Sequence, residues 1–121
     1  MKFESLRVWQ RSARLSARIY QHLAALQDFG FRDQITRSGL SVPSNIAEGF
    51  GRGGEREKIR FLRYAKGSCA ELRCQIYIGM EIGYIDKEKG RDWLKETEEI
   101  SKMLWALIHQ AKPPEGRLRP S

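Results

Sequence analysis

Little in this chain can hold a metal or a disulfide framework, because its 121 residues include two cysteines and two histidines. Cys69 and Cys74 stand five apart in one helical pattern, which on a helix turns them about 140° from each other and out of bridging reach. Both are expected as reduced core residues, and with His22 and His109 they match no zinc or haem spacing. Long apolar runs are missing as well. None nears the roughly 20 residues of a membrane span, and Met1-Lys2-Phe3-Glu4-Ser5 has no apolar leader. A cytoplasmic chain with no membrane partner is the expectation. Alternation of β-branched residues is absent too, which excludes a sheet. No base stands paired with a nucleophile. Glu48, Glu71 and Glu81 offer carboxylates, with Glu71 read as a buried brace for Ser68, so neither an enzyme nor a cofactor is expected.

Helical periodicity fills the space these absences leave, in a chain 40% hydrophobic and 31% charged, as expected for one globular core. Turn signals at Asp28-Phe29-Gly30, Gly49-Phe50-Gly51-Arg52-Gly53-Gly54 and Gly83-Tyr84-Ile85-Asp86 cut it into four segments, 5–27, 31–49, 55–82 and 87–111. Ser5 and Asp86 are the expected N-caps. Short connections make neighbours antiparallel. The expected fold is all-α, an antiparallel up-down four-helix bundle over residues 1–112, with 113–121 a flexible basic tail.

The first segment has an unusually broad apolar face. Leu6, Trp9, Ala13, Ala17, Tyr20, Leu23 and Ala24 form one stripe, and Val8, Leu15, Ile19 and Leu26 a second. The surplus points either to burial against another subunit or to looser packing within the monomer. In the third segment Phe61, Leu62, Ala65, Cys69, Leu72, Ile76, Gly79 and Met80 are expected in the core. In the fourth, Trp93, Leu94, Thr97, Ile100, Leu104, Leu107, Ile108 and Ala111 share the core face, while Met103 and Trp105 fall outside.

Twenty-two Lys and Arg against fifteen Asp and Glu leave a net charge of +7 and a pI near 9.7, a balance that favours polyanions as partners. The excess is arranged. Arg7, Arg11, Arg14 and Arg18 recur at spacings of 4, 3 and 4 on one side of the first segment, with no carboxylate at i±4 to answer them. Arg56, Arg60 and Arg63 cluster on the outside of the third, diluted by Glu55, Glu57 and Glu71. Glu96, Glu98 and Glu99 make the fourth locally acidic, so self-association through these glutamates competes with nucleic acid for the first ridge.

The stretch from Arg37 to Arg52 is odd in propensity, since it sets a proline, Pro43, a glycine, Gly39, and three serines inside an apolar helical period. Phe31, Ile35, Ser38, Val42, Ile46 and Gly49 keep one face, so the helix either continues through Pro43 with a kink or restarts there, with Ser38, Ser41 and Ser44 serving freed backbone groups. Gln34, Arg37, Ser41, Asn45 and Glu48, with Arg52 in the glycine-rich exit, form a polar ridge along the other side. It reads either as capping and intersubunit hydrogen bonding, or as an RNA contact through Arg52, Arg37 and Asn45. The exit loop follows a helix and lacks a Lys-Ser/Thr ending, so it is no P-loop.

Phe3-x-x-Leu6-x-Val8-Trp9-Gln10, Gln34-Ile35-x-Arg37-Ser38, Ser41-Val42-Pro43-Ser44-Asn45-Ile46-Ala47-Glu48-Gly49-x-Gly51-Arg52 and Phe61-Leu62-x-x-Ala65-x-Gly67-Ser68-x-x-Glu71-Leu72 together resemble the four-helix bundle family named for 23S rRNA intervening sequences. The resemblance spans about residues 3 to 110. It implies an up-down bundle that assembles as a ring, a homopentamer, without enzymatic activity. Relatives implied by it include the accessory protein of diversity-generating retroelements, which associates with reverse transcriptase and nucleic acid. The expected function is therefore a non-enzymatic, oligomeric accessory protein binding RNA in preference to DNA. The alternative is a scaffold whose arginines meet a protein partner, such as a reverse transcriptase, or neighbouring subunits.

Overall fold

The computed structural model describes residues 2–111. A single 3-10 turn, Phe3–Ser5, leads into four helices: α1 (Arg7–His22), α2 (Phe29–Gly51), α3 (Glu55–Glu81) and α4 (Lys87–Ala111). The tail expected at 113–121 lies outside the described residues.

The first helix is shorter than its apolar period at both ends. Leu6 is extended (φ −78°, ψ 129°) and separates the turn from α1. Ser5 therefore caps nothing in α1; its hydroxyl donates to the Lys2 carbonyl at 2.8 Å inside the turn. Asp28 is more than part of a break. Its carboxylate accepts from the Phe31 N–H at 3.1 Å and starts α2 two residues earlier than the period indicates. Asp86 does what was expected of it, accepting from Lys89 N–H at 2.8 Å. Gly53 (φ 86°) and Gly83 (φ 84°) supply the left-handed backbone at the turns on either side of α3. α2 runs unbroken through Pro43. Ser41, expected to serve the backbone there, bonds across to α3 instead.

Neighbouring helices touch in the cyclic order α1, α2, α3, α4, while among the described residues diagonal helices do not come within 8 Å between Cα atoms. Their antiparallel run brings the start of α1, the α2–α3 turn and the end of α4 to one end of the bundle, where Leu6, Phe50, Glu55, Leu62 and Leu107 line a common hollow. The core joins Val8, Leu15 and Ile19 of α1 to Ile35, Val42 and Ile46 of α2, Leu62, Leu72 and Ile76 of α3, and Trp93, Ile100, Leu104 and Ile108 of α4, all buried. Met80, Leu94 and Leu107 sit half-buried at its margin, while Phe61, expected in the core, is half-buried outside it.

Two stripes of α1 trade the weight that their lengths promised. The seam is the shorter one, Val8, Leu15 and Ile19, completed by buried Ser12 and Ser16. Ser16 lies against Gly39 of α2, where its small size lets the helices approach closely, and a reading by hydrophobicity passes over both serines. Of the longer stripe only Leu23 is buried. Leu6, Trp9 and Ala13 are half-buried, and Ala17, Tyr20 and Ala24 are exposed. Met103 was expected outside yet packs against the core, whereas Trp105 does stay exposed. A polar clamp ties α3 to α4 inside: Arg73 Nη1 donates to the Leu94 carbonyl at 2.8 Å and to Thr97 Oγ1 at 3.0 Å. Cys69 Sγ donates to the Thr97 carbonyl at 3.3 Å.

Candidate nucleic-acid interface

On α1 the arginines and the leftover apolar stripe flank the buried seam from opposite sides. The arginine side turns toward α4, and this changes the ridge. Arg11 Nε and Nη2 donate to the two carboxylate oxygens of Glu96 at 2.9 and 2.7 Å, a bidentate pair with each side chain 25% exposed. The ridge is thus answered from within the same chain, by a partner that spacing along one helix does not reveal. Arg7, Arg14 and Arg18 remain exposed. Among the described residues none of the three forms a salt bridge.

Arg18 is joined by a cation that its own helix does not supply. With Gln21, His22, Lys89 and Trp93 it lines a shallow groove of about 320 Å³ between α1 and α4. The His22 ring stands edge-on to Trp93, 5.3 Å between centroids, at the groove floor. Lys89 was missed because it lies in a mixed-charge run; only the α1–α4 packing places it beside Arg18.

The Arg11 hydrogen bond, followed by the charges of Arg11, Arg18 and Arg14, holds the Glu96 carboxyl below its ordinary value of 4.5 despite partial burial. A lowered folded-state value means that the pair stabilises fully above about pH 4.5 and is lost as pH falls through the lowered value. Glu96→Gln is accordingly expected to melt about 2–5 °C below the wild type at neutral pH, with the gap narrowing as the pH falls below the ordinary carboxyl value of 4.5. Thermal melts followed by circular dichroism check this.

The second cluster is partly engaged as well. Arg56 and Arg63 are exposed without an ion pair among the described residues. Arg60 Nη2 donates to Glu57 at 3.1 Å, and its Nη1 to the Tyr64 hydroxyl at 3.0 Å.

The polar ridge of α2 divides into three parts. Ser41 and Asn45 belong to the α2–α3 joint: Ser41 Oγ and Ser68 Oγ lie 2.7 Å apart, and Asn45 Nδ2 donates to the Ser41 carbonyl and hydroxyl at 2.9 and 3.0 Å. Glu48 and Arg52 pair with each other at 2.8 Å. Gln34 and Arg37 stay exposed, and Arg37 lines a hollow of about 400 Å³ toward α1 with Tyr20, Ala24, Arg32 and Leu40. Arg37, Asn45 and Arg52 thus do not converge on one contact. Gly49 completes the joint, since a Cβ there would sit 3.0 Å from Phe61 Cβ and 3.2 Å from the Lys58 carbonyl oxygen.

Two smaller expectations change. Glu71 is exposed, and Ser68 takes Ser41 as its partner instead. Cys69 is buried, which pushes its thiol up to about 11, but Cys74 is exposed on the outer side of α3. Among the described residues no group of three His, Cys, Asp or Glu side chains is placed to hold a metal ion, and no helix is long and apolar enough to cross a membrane.

Fold and surface together define a four-helix bundle with one arginine face on α1 and a second around the start of α3. The chain belongs to the family of 23S rRNA-intervening sequence proteins, whose match runs over residues 4–106. It is similar to a protein with unknown function from the S23 ribosomal protein family of Bacteroides thetaiotaomicron VPI-5482, solved by crystallography. The two are 28% identical, the likeness covering 84% of this chain and 97% of that one, with a TM-score of 0.78. No curated protein matches the chain.

Proposed function

We propose that this chain is a non-enzymatic nucleic-acid-binding accessory protein of the cytoplasm, which works as an oligomer and contacts phosphates through exposed arginines. The observation that carries the reading is the set Arg7, Arg14 and Arg18, exposed along one side of α1, with Lys89 of α4 beside Arg18. Like charges so placed repel one another in the free chain and are relieved by a polyanion. RNA is placed ahead of DNA on the family's name alone, 23S rRNA-intervening sequence protein, a label that records where such genes lie more than what the proteins bind.

Self-assembly draws support from the other side of α1. Trp9 and Ala13 with Leu40, Pro43 and Ala47 of α2 line an apolar hollow, and Tyr20 and Leu40 are large and about half exposed. A ring of five, as the family resemblance implies, would repeat the arginine face and multiply weak phosphate contacts by avidity. A scaffold reading, with a protein such as a reverse transcriptase as partner, finds its support in exposed Ile78 and Ile82 at the far end of α3. At the first ridge Glu96 answers Arg11 within the chain, so a partner's carboxylates, like phosphates, would meet Arg7, Arg14 and Arg18.

Fluorescence anisotropy of labelled RNA and DNA with the wild type and an Arg14→Glu/Arg18→Glu variant, alongside light scattering of both proteins, tests the reading. Binding lost from a variant of unchanged mass supports it. A variant that falls apart into smaller species moves these arginines to a protein interface.

A further inference from the structure

Where α2 turns into α3, cations and aromatic rings alternate. The Arg52 guanidinium lies over the Phe61 ring at 5.1 Å, and Arg60 lies over the same ring at 5.0 Å and over Tyr64 at 5.5 Å. Phe61 and Tyr64 meet edge to face, 5.5 Å apart at 89°. Arg60 fixes the last rung by donating to the Tyr64 hydroxyl at 3.0 Å. The close approach of α2 at Gly49 accounts for half-buried Phe61 but not for Tyr64, which is 48% exposed. Arg56 and Arg63 are exposed on the outward side of α3, both to one side of Tyr64 and about 80–100° around the helix from it. Of the carboxylates nearby, Glu48 on Arg52 at 2.8 Å, Glu57 on Arg60 at 3.1 Å and Glu55 on Lys58 at 3.4 Å form pairs within one turn of helix, and Glu71 is exposed two turns beyond Tyr64. Water screens such pairs, and a phosphate can displace them.

Resting on the nucleic-acid reading above, the geometry points to this ladder as a stacking site for unpaired nucleotides. An unpaired base offers its π-face to a tyrosine ring or to a guanidinium plane, while its phosphates reach the nearby arginines. A duplex keeps its bases stacked inside and shows the ladder only phosphates. The two basic surfaces then do different work. The α1 face attracts any polyanion, and the ladder at the α2–α3 end discriminates single strands from duplex.

The test uses the full chain with a single-stranded RNA carrying 2-aminopurine and with the duplex of the same sequence, read by anisotropy and by 2-aminopurine fluorescence. Tyr64→Ala is expected to weaken single-strand binding roughly 5- to 100-fold and to remove the fluorescence change, while duplex affinity stays within about twofold. Tyr64→Phe keeps the stacking ring but loses the hydroxyl that Arg60 holds, and is expected to keep the fluorescence change and weaken single-strand binding far less than Tyr64→Ala. Arg60→Lys keeps the charge but loses the planar group, and is expected to weaken the single strand alone. A melting temperature equal to wild type confirms that each variant is folded. If Tyr64→Ala leaves single-strand binding and fluorescence untouched while Arg14→Glu/Arg18→Glu weakens both probes, the ladder is overturned and the nucleic-acid reading stands. Equal losses on single strand and duplex overturn the ladder too. A wild-type chain that binds no probe overturns both.

Discussion

Gly49→Leu lowers the melting temperature by on the order of 10 °C, the largest stability effect expected of any single change in the α2–α3 joint. A glycine inside a helix is weaker than alanine by about 1 kcal/mol, so its presence near the end of α2 calls for a compensating contact. That contact is the approach of α3: the missing Cβ would lie 3.0 Å from Phe61 Cβ, 3.2 Å from the Lys58 oxygen and 3.5 Å from Lys58 Cα. Two of these are backbone atoms and the third is a side chain's root, so no rotamer change relieves the clash. A leucine must push the helices apart, at about 2–3 kcal/mol. Gly49→Ala sets the two effects against each other and is expected to fall by a few degrees despite its better propensity. Gly51 has no atom within 4 Å of a Cβ, so Gly51→Ala is the matched control and is expected to melt at or above the wild type. Thermal unfolding of the three variants decides the matter, and a rise for Gly49→Ala equal to that for Gly51→Ala would remove the close approach from the account.

Arg14→Glu/Arg18→Glu weakens RNA binding at least 100-fold at about 100 mM salt, the largest functional effect expected. Two favourable phosphate contacts become two repulsive ones per chain, and an assembly repeats the change in every subunit. Both side chains are exposed, so the fold should lose no more than about 0.5–1 kcal/mol. Arg11 is the wrong residue for this purpose. Its reversal breaks the bidentate pair with Glu96, and lost binding would then be confounded with lost packing of α4 on α1.

The bundle was largely legible in the sequence because its evidence is local. Apolar period and glycine-rich turns place α2, α3 and α4 within about two residues of where they lie. α1 resisted because serines carry its seam: Ser12 and Ser16 are buried for their small size, which hydrophobic periodicity does not register. The interface was legible only in part. Helical spacing correctly brought Arg7, Arg14 and Arg18 to one side, but Glu96 on Arg11 and Lys89 beside Arg18 come from a helix more than seventy residues later. The same limit applies to the polar ridge. Ser41 and Asn45 read as surface groups on α2, and only the bond of Ser68 to Ser41, which Asn45 also holds, shows that they are committed to a joint. Tyr64 carried no signal of its own until Arg60 was seen stacked on it.

The central claim, that exposed arginines bind nucleic acid through phosphate, is tested most directly by the salt dependence of RNA affinity for the wild-type protein. Anisotropy titrations between about 50 and 200 mM salt are predicted to show affinity falling by at least tenfold. The slope of log K against log salt should be steeper than about −2 and shallower by about 1–2 in Arg14→Glu/Arg18→Glu. An affinity flat across that range, or no binding at its low end, would contradict the claim and leave the arginine faces to a protein partner.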